Sequence, residues 1–205
     1  KEFKRDGYGR ILWHCLDLAV DQVWRGYAHA MTVTDEAANA TLLKAQHNAM
    51  KNKRGMWAHG APEYVLTSLH SADEDSSRSY HYNRAVSTKD GHSEKLRHNE
   101  TYKECQTVCI DKVTIAPEVL TASAAALRAE ASVSDLVSKL TDEQVHHVLH
   151  IWLKLNNTAA LIEKSDRKRM TAVLEGIEKS GVLKAQSREK DSCMVYVPFQ
   201  RRYGA

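Results

Sequence analysis

The fold prediction depends on residues 6–15, which have the sequence Asp-Gly-Tyr-Gly-Arg-Ile-Leu-Trp-His-Cys. The second part of this stretch, residues 10–15, is rich in β-branched, aromatic and apolar side chains, and this composition favours a strand. Apolar residues then recur at helical spacing within residues 17–27, which predicts a short amphipathic helix. Gly26 lies where this helix is expected to end.

A longer helix is predicted to follow, from a cap at Thr34 to a stop at Gly55. Its buried stripe is formed by small and apolar side chains at helical spacing, namely Ala38, Leu42, Ala45 and Ala49. Trp57 continues this stripe, and we expect its side chain to be buried. One strand and two helices cannot close a barrel by themselves, so the exposed edge of strand 10–15 should be covered by a further segment or subunit.

Three short motifs occur in order in this region: Tyr-Gly-Arg at 8–10, Val-Trp-Arg-Gly-Tyr-Ala at 23–28, and Ala-Gln followed by Arg-Gly-Met-Trp within 45–57. With these motifs, residues 5–58 resemble the C-terminal half of the staphylococcal nuclease (thermonuclease-like) family. The resemblance implies an OB-type five-stranded barrel with packed helices. Gln46 stands where the family usually has a glutamate.

The resemblance also implies a chemistry, the calcium-assisted cleavage of a phosphodiester bond. In the family, acidic side chains hold the metal, a glutamate acts on the attacking water, and two arginines stabilise the charge on the phosphate. Arg10 matches the second of these arginines. The other groups precede the Tyr-Gly-Arg motif in the family, and only seven residues precede Tyr8 here.

The middle of the chain shows a different pattern. Pro62 is expected to open a short helix that ends at Leu69. Residues 71–101 show no periodicity, which predicts a long irregular surface linker, the most probable domain boundary, ordered by a partner. The predicted domains are therefore residues 1–60, the linker region 61–116, and a helical extension over 117–205.

Helical periodicity returns after Pro117 and predicts a small bundle. Its helices are expected at 117–131, 134–140, 145–155 and 165–177. Thr141 and Gln144 have the spacing of a capping box. Residues 193–199 are expected to form a short edge strand or extended tail, because Pro198 lacks a ladder donor. The predicted fold class is α+β and helix-rich, with a partial OB fold, a helical bundle and an extended tail.

Two groups of side chains have the spacing of metal ligands, but each also fits a plainer interpretation. Cys105 and Cys109 would be ordinary thiols on a helix, because a zinc site needs a second ligand pair. His146 and His150 are separated by one helical turn without the glutamate of a zinc-protease motif, so a polar helix face is favoured. We therefore predict no metal and no cofactor.

Basic residues mark candidate contacts with nucleic acid. The predicted contacts are Arg10, the cluster Lys164, Arg167, Lys168 and Arg169, and the tail residues Arg201 and Arg202. Cations at the start of a helix oppose its dipole, so helix stability does not explain the cluster, which instead indicates a contact with phosphate or RNA. A solvated helix face is the alternative interpretation. Aromatic residues flank the two tail arginines, as in RNA-binding segments.

The composition limits the class of protein. Hydrophobic residues make up 42% and charged residues 27% of the 205 residues, so a packed core is expected. The net charge of +3 and pI near 8.6 permit nucleic-acid contact without requiring it. No apolar run approaches the ~18–20 residues that span a bilayer. Four cysteines are too few for a disulfide scaffold, which predicts a reducing, intracellular compartment.

Two functions follow from these observations. The first is a non-catalytic accessory subunit of a larger mitochondrial assembly, built on a partial thermonuclease-like module, bound to other protein subunits and in contact with RNA. The alternative is a calcium-dependent nuclease whose upstream half carries the metal ligands and the general base. Calcium is required only in this second case.

Overall fold

The computed structural model describes residues 5, 9, 11, 15–75, 77–158 and 161–198. The chain divides into two compact units. The amino-terminal unit comprises residues 1–61 together with 88–92, and the carboxyl-terminal unit comprises residues 62–87 and 93–205. Helices and antiparallel sheets are both present, so the predicted mixed α+β class is confirmed, and the described residues form no closed barrel.

The amino-terminal unit contains two helices that pack against each other, α1 (Leu16–Trp24) and α2 (Ala40–Lys51). Both helices were predicted, but α2 begins later than expected. Its cap is Asn39, whose side chain accepts a hydrogen bond of 2.9 Å from the Thr41 N–H. The predicted cap, Thr34, lies instead in a turn where the Thr32 hydroxyl donates to its carbonyl.

A short 3₁₀ turn, Gly55–Trp57, follows α2. Trp57 is 1% exposed, so its predicted burial is confirmed. Most of the predicted strand 10–15 lies outside the described residues. Within it, Ile11 forms an isolated antiparallel bridge with Arg5, and Cys15 directly precedes α1.

The carboxyl-terminal unit contains an antiparallel sheet in the order β1 (Tyr64–Ser68), β2 (His81–Ser87) and β3 (Ser93–His98). The predicted helix from Pro62 to Leu69 and the predicted irregular linker 71–101 are therefore wrong. The helix prediction failed because β1 is apolar at three successive positions, 64–66, so the alternation typical of a strand does not show. The linker prediction failed because three of the four residues on the buried face of β2 are polar. His81, Asn83 and Ser87 are buried there, so hydrophobicity does not alternate along the strand.

A second sheet is formed by two strands, β4 (Thr107–Thr114) and β5 (Ser187–Val195), which pair antiparallel. The predicted strand 193–199 is only the end of β5, because the ladder starts at Ser187. The prediction that Cys105 and Cys109 share a helix is wrong, since Cys109 lies in β4. Charged residues dominate the first half of β5, and they hid the strand from a pattern-based prediction.

Four helices complete this unit: α3 (Pro117–Ala129), α4 (Ser134–Val137), α5 (Asp142–Leu155) and α6 (Arg167–Lys179). A 3₁₀ turn, Ala131–Val133, precedes α4. The predicted capping box is confirmed, since the Gln144 N–H donates to the Thr141 hydroxyl and the Thr141 N–H donates to the Gln144 side chain.

Two hydrophobic clusters hold the carboxyl-terminal unit together. The larger one lies among the helices and includes Leu127, Leu149, Met170 and Leu174. The smaller one joins the sheets to α5 through Leu66, Ala85, Ile110 and Ile151. None of the helices in the described residues has the length and apolar character needed to span a bilayer.

Candidate functional site

Three of the predicted site residues, Arg10, Arg201 and Arg202, lie outside the described residues. The described neighbours of Arg10 are Arg5, Gly9 and Ile11. The Arg5 guanidinium donates to the Gly9 carbonyl at 2.6 Å, and Gly9 has a positive φ of 79°.

Two of the motifs that carry the thermonuclease resemblance meet in the amino-terminal unit at Gly26 and Gly55. The Met56 N–H donates to the Gly26 carbonyl at 2.9 Å. Both glycines have positive φ, 73° and 52°. A Cβ on Gly26 would overlap the Arg54 carbonyl, and a Cβ on Gly55 would overlap the Gly26 carbonyl. The backbone contact therefore requires glycine on both sides.

Cationic and aromatic side chains surround this contact. The Arg54 guanidinium lies 3.7 Å from the centre of the Trp24 ring, within cation–π distance. Arg25, the residue after Trp24, donates to the Asp21 carboxylate at 2.9 Å, and this hydrogen bond raises the pKa of the Arg25 guanidinium. Both arginines are thus held in place by partners within the unit.

Gln46, which replaces the glutamate usual in the family, is completely buried. Its side-chain oxygen accepts from the Ala30 N–H at 2.8 Å, and its side-chain nitrogen donates to the Thr88 carbonyl at 2.7 Å. A carboxylate would satisfy the first partner but not the second. The amide is therefore explained by the packing of this unit.

The predicted basic cluster 164–169 lies around the start of α6, and its members are in different environments. Arg169 donates to Asp135 and to Asp166, at 3.0 Å in each case. The Arg169 guanidinium lowers the pKa of Asp135 through this hydrogen bond. Arg167 donates to the Ile162 carbonyl at 2.9 Å. Lys164 and Lys168 are exposed, so a contact with nucleic acid at this position stays a prediction.

A buried lysine joins α5 to β1 and β5. Lys154 has a fully buried side chain whose ammonium donates to Glu63 and lies 3.6 Å from Asp191. His150, one turn earlier, lies 3.8 Å from the same Glu63 carboxylate. Burial lowers the pKa of His150, and the Glu63 charge partly opposes this shift. Among the described residues, no three His, Cys, Asp or Glu side chains are grouped to hold a metal, and the absence of a metal at His146 and His150 stays a prediction.

A second polar network lies at the other end of the three-stranded sheet. The Asn83 side chain donates to the Tyr102 hydroxyl at 2.8 Å, and His98 Nε2 lies 3.0 Å from Asn83 Oδ1. The Glu100 N–H donates to His98 Nδ1, so the neutral ring with its proton on Nε2 satisfies both contacts. Burial lowers the pKa of His98 accordingly. The buried His81 Nε2 has no hydrogen-bond partner in the described part of the chain.

This network continues to Tyr196, whose hydroxyl donates to Glu74 at 2.7 Å. Burial, together with this hydrogen bond, raises the pKa of Tyr196 to about 12. Burial also raises the pKa of Tyr102. Both phenols are therefore structural donors and acceptors that stay neutral near pH 7.

The cysteines differ most from their predicted role. Cys109 and Cys193 face each other across the β4–β5 ladder and form a disulfide. The prediction that Cys109 is a free thiol is therefore wrong, whereas Cys105 is free and exposed. Sequence reasoning had no means of pairing residues 84 positions apart, because β4 was not recognised and only the end of β5 was predicted as a strand.

Sequence reasoning missed the polar clusters around Lys154 and Asn83. Both combine residues that are distant in sequence, and none of them forms a recognisable motif. One local pattern could have revealed a strand in this region. In β3, Lys95 and Arg97 alternate with Glu94 and Leu96, as expected for a strand with one solvated face.

No family model, curated protein or solved structure matches this chain.

Proposed function

We propose that the chain is the carboxyl-terminal part of a thermonuclease-like phosphodiesterase, and that its amino-terminal unit helps to complete an OB-type barrel. The observation that carries the proposal is the exposed apolar surface of this unit. Eleven large hydrophobic side chains are exposed in the described residues, and eight of them belong to residues 11–56: Ile11, Leu16, Leu18, Trp24, Tyr27, Met31, Val33 and Met56.

Most of the exposed apolar side chains of the described residues thus lie in this unit, and a segment that covers them would remove apolar area from water. In this proposal, the surface is covered by the barrel strands that precede the Tyr-Gly-Arg motif in the family. The Gly26–Gly55 contact supports the same assignment, because it brings together two of the three motifs that carry the resemblance.

Arg10 is the residue that this chain would contribute to the chemistry, as a donor to the negatively charged phosphate. Calcium would supply the remaining charge neutralisation during phosphodiester cleavage. The described residues contain no group of metal ligands. The proposal therefore assigns the metal to other residues.

The test uses the product of the complete reading frame and a single-stranded DNA substrate. We expect calcium-stimulated cleavage that Arg10→Ala reduces by about 100-fold or more, as does the loss of a transition-state donor in other enzymes. Arg78→Ala is the matched control, because Arg78 is exposed and pairs with Asp75 in the other unit. If the complete product shows no calcium-stimulated cleavage, or if Arg10→Ala cleaves at the wild-type rate, the proposal is wrong.

The second candidate function is a non-catalytic subunit of a larger assembly, with mitochondria as the proposed location and RNA as a proposed contact. The carboxyl-terminal unit favours it, because most of the chain folds there around two hydrophobic clusters and none of the three motifs that resemble the nuclease family lies in it. Under this candidate, another protein covers the apolar surface. Fractionation that finds the protein outside mitochondria would exclude the proposed location.

A further inference from the structure

The three-stranded sheet has one face that carries cations and tyrosines. Residues that face each other in an antiparallel pair project to the same side of the sheet. The pairs Tyr82–Arg97 and Arg84–Lys95 therefore share one face of β2 and β3. Tyr80 lies just before β2 and two residues from Tyr82, so it falls on the same side of the sheet as Tyr82. We call Tyr80, Tyr82, Arg84, Lys95 and Arg97 the basic face.

The opposite face of the same strands packs against the core. Leu66, Ala85 and Leu96 belong there to the cluster that includes Ile151 of α5. The basic face is not needed for that packing. Lys95 and Arg97 are exposed, and Tyr80 is 39% exposed.

The cations lie over the rings of the tyrosines. The Arg97 guanidinium carbon is 4.1 Å from the centre of the Tyr80 ring. Lys95 Nζ is 5.1 Å and the Arg84 guanidinium carbon 5.8 Å from the centre of the Tyr82 ring. The face thus carries two tyrosine rings in contact with positive charge, and the Tyr82 ring also contacts the His70 ring, with 5.0 Å between the ring centres.

Two like charges face each other on the basic face. Arg84 and Lys95 are directly opposite each other, and like charges in this position destabilise a sheet. Within the described ranges, no carboxylate forms an ion pair with Lys95 or Arg97. Glu94, the acidic residue of β3, is buried and accepts a hydrogen bond from Asn157 at 2.7 Å.

The nearest acidic loop does not neutralise the face either. Glu74 accepts from the Tyr196 hydroxyl, and Asp75 pairs with Arg78 at 2.9 Å. The positive charges of Lys95 and Arg97 are therefore available to an anionic ligand.

We propose that the basic face binds a single-stranded polynucleotide. The phosphates contact Lys95 and Arg97, and exposed bases stack on Tyr80 and Tyr82. Single strands fit this surface because their bases are free to stack on aromatic side chains, whereas the bases of a duplex are hidden. The site lies wholly in the carboxyl-terminal unit and is independent of the proposed phosphodiesterase activity.

The test measures binding of the 205-residue chain to a fluorescein-labelled single-stranded oligonucleotide of about 16 nucleotides by fluorescence anisotropy. We expect the double variant Lys95→Glu/Arg97→Glu to weaken binding by about tenfold or more at low salt. The slope of log affinity against log salt concentration should change from about −1.4 to about zero, because both phosphate contacts are lost.

A second variant tests the stacking. Tyr80→Ala should weaken binding by about tenfold, whereas Tyr80→Phe should keep the wild-type affinity, because stacking needs the ring and not the hydroxyl. The matched control, Lys139→Glu/Lys179→Glu, makes the same change in net charge on exposed residues away from the sheet, and it should change affinity less than twofold. Circular dichroism of each variant shows whether the fold is kept.

Three results would overturn the proposal. One is an equal loss of affinity in the sheet variant and the control variant, which would show a response to net charge alone. Another is equal affinity for duplex and single-stranded oligonucleotides of the same length. The third is a preference for phosphatidylserine vesicles that the sheet variant abolishes, which would assign the face to a lipid surface.

Discussion

At the scale of single residues, the hydrogen bonds of Gln46 explain why a glutamine stands here where the thermonuclease-like family usually has a glutamate. An amide both donates and accepts, and both partners of Gln46 are backbone groups that lie far from it in the sequence. A buried backbone carbonyl that loses its donor costs about 1–3 kcal/mol. The identity of residue 46 is therefore coupled to the position of residues 88–92.

We expect Gln46→Glu to lower the free energy of unfolding by about 1–3 kcal/mol at pH 7, because an ionised carboxyl group faces the Thr88 carbonyl. The loss should shrink on acidification, because a protonated carboxyl group can donate to that carbonyl. Urea unfolding at pH 7 and pH 5 provides the measurement. Gln46→Met, which removes both hydrogen bonds without a charge, should show no such pH dependence, and identical behaviour of the two variants would contradict the explanation.

The contact between Gly26 and Gly55 makes a second prediction at this scale. Gly26→Ala should lower the free energy of unfolding by more than about 1 kcal/mol, because the added methyl group overlaps the Arg54 carbonyl and φ is positive. Gly176→Ala is the control. Gly176 lies inside α6 with no atom near the added carbon, so this variant should gain up to about 1 kcal/mol. Thermal unfolding of both variants decides between a steric effect and a general effect of alanine.

At the scale of secondary-structure elements, local patterns predicted the helices and missed most strands. α5 was predictable because Thr141 and Gln144 cap it and its apolar residues recur at helical spacing. β2 was not predictable, because its buried Asn83 finds partners in His98 of β3 and in Tyr102, which no local pattern reveals. The basic face escaped prediction for the same reason, since its residues come together only through strand pairing.

The β4–β5 ladder yields a prediction about the disulfide. Cys193→Ala should lower the free energy of unfolding by about 2–4 kcal/mol, because the bond closes a loop of 84 residues in the unfolded chain. Cys105→Ala, which removes an exposed free thiol, should be close to neutral. Denaturant unfolding with and without a reducing agent tests both variants.

Thiol counting gives an independent check of this prediction. Alkylation of the denatured, unreduced protein should label Cys15 and Cys105 only. Labelling of all four cysteines in freshly isolated protein would show that the bond is absent and would agree with the reducing compartment predicted from the sequence.

At the scale of the whole molecule, several partly buried histidines make stability depend on pH. Burial lowers the pKa of His29, His98 and His150 in the folded protein. The unfolded chain therefore binds more protons as the pH falls through the ordinary histidine pKa of about 6.5. The free energy of unfolding should decrease on acidification, and the effect should be complete once the pH is below the folded-state values.

We expect a decrease in thermal stability from pH 7 to pH 5, with a smaller slope in His98→Gln than in the wild type. The ceiling for one group is about 1.4 kcal/mol per pH unit. His59→Gln, at an exposed position, is the control and should leave the slope unchanged. A slope that is the same in both variants would show that His98 does not contribute.

The loop between β2 and β3 has a consequence for how this protein can be divided. Thr88 accepts from Gln46, Asp90 from the Ala38 N–H, and Gly91 from the Thr32 N–H, so the loop supplies backbone acceptors to a unit whose other residues end at 61. A gene fragment that encodes residues 1–61 alone would leave these donors without their acceptors. Conversely, excision of residues 88–92 would sever the hairpin of the other unit. Neither unit can therefore be transferred to another protein as one continuous segment. Recombination, circular permutation or separate expression of either unit would need a replacement for the loop 88–92, because this loop belongs to one unit but lies in the sequence between two strands of the other.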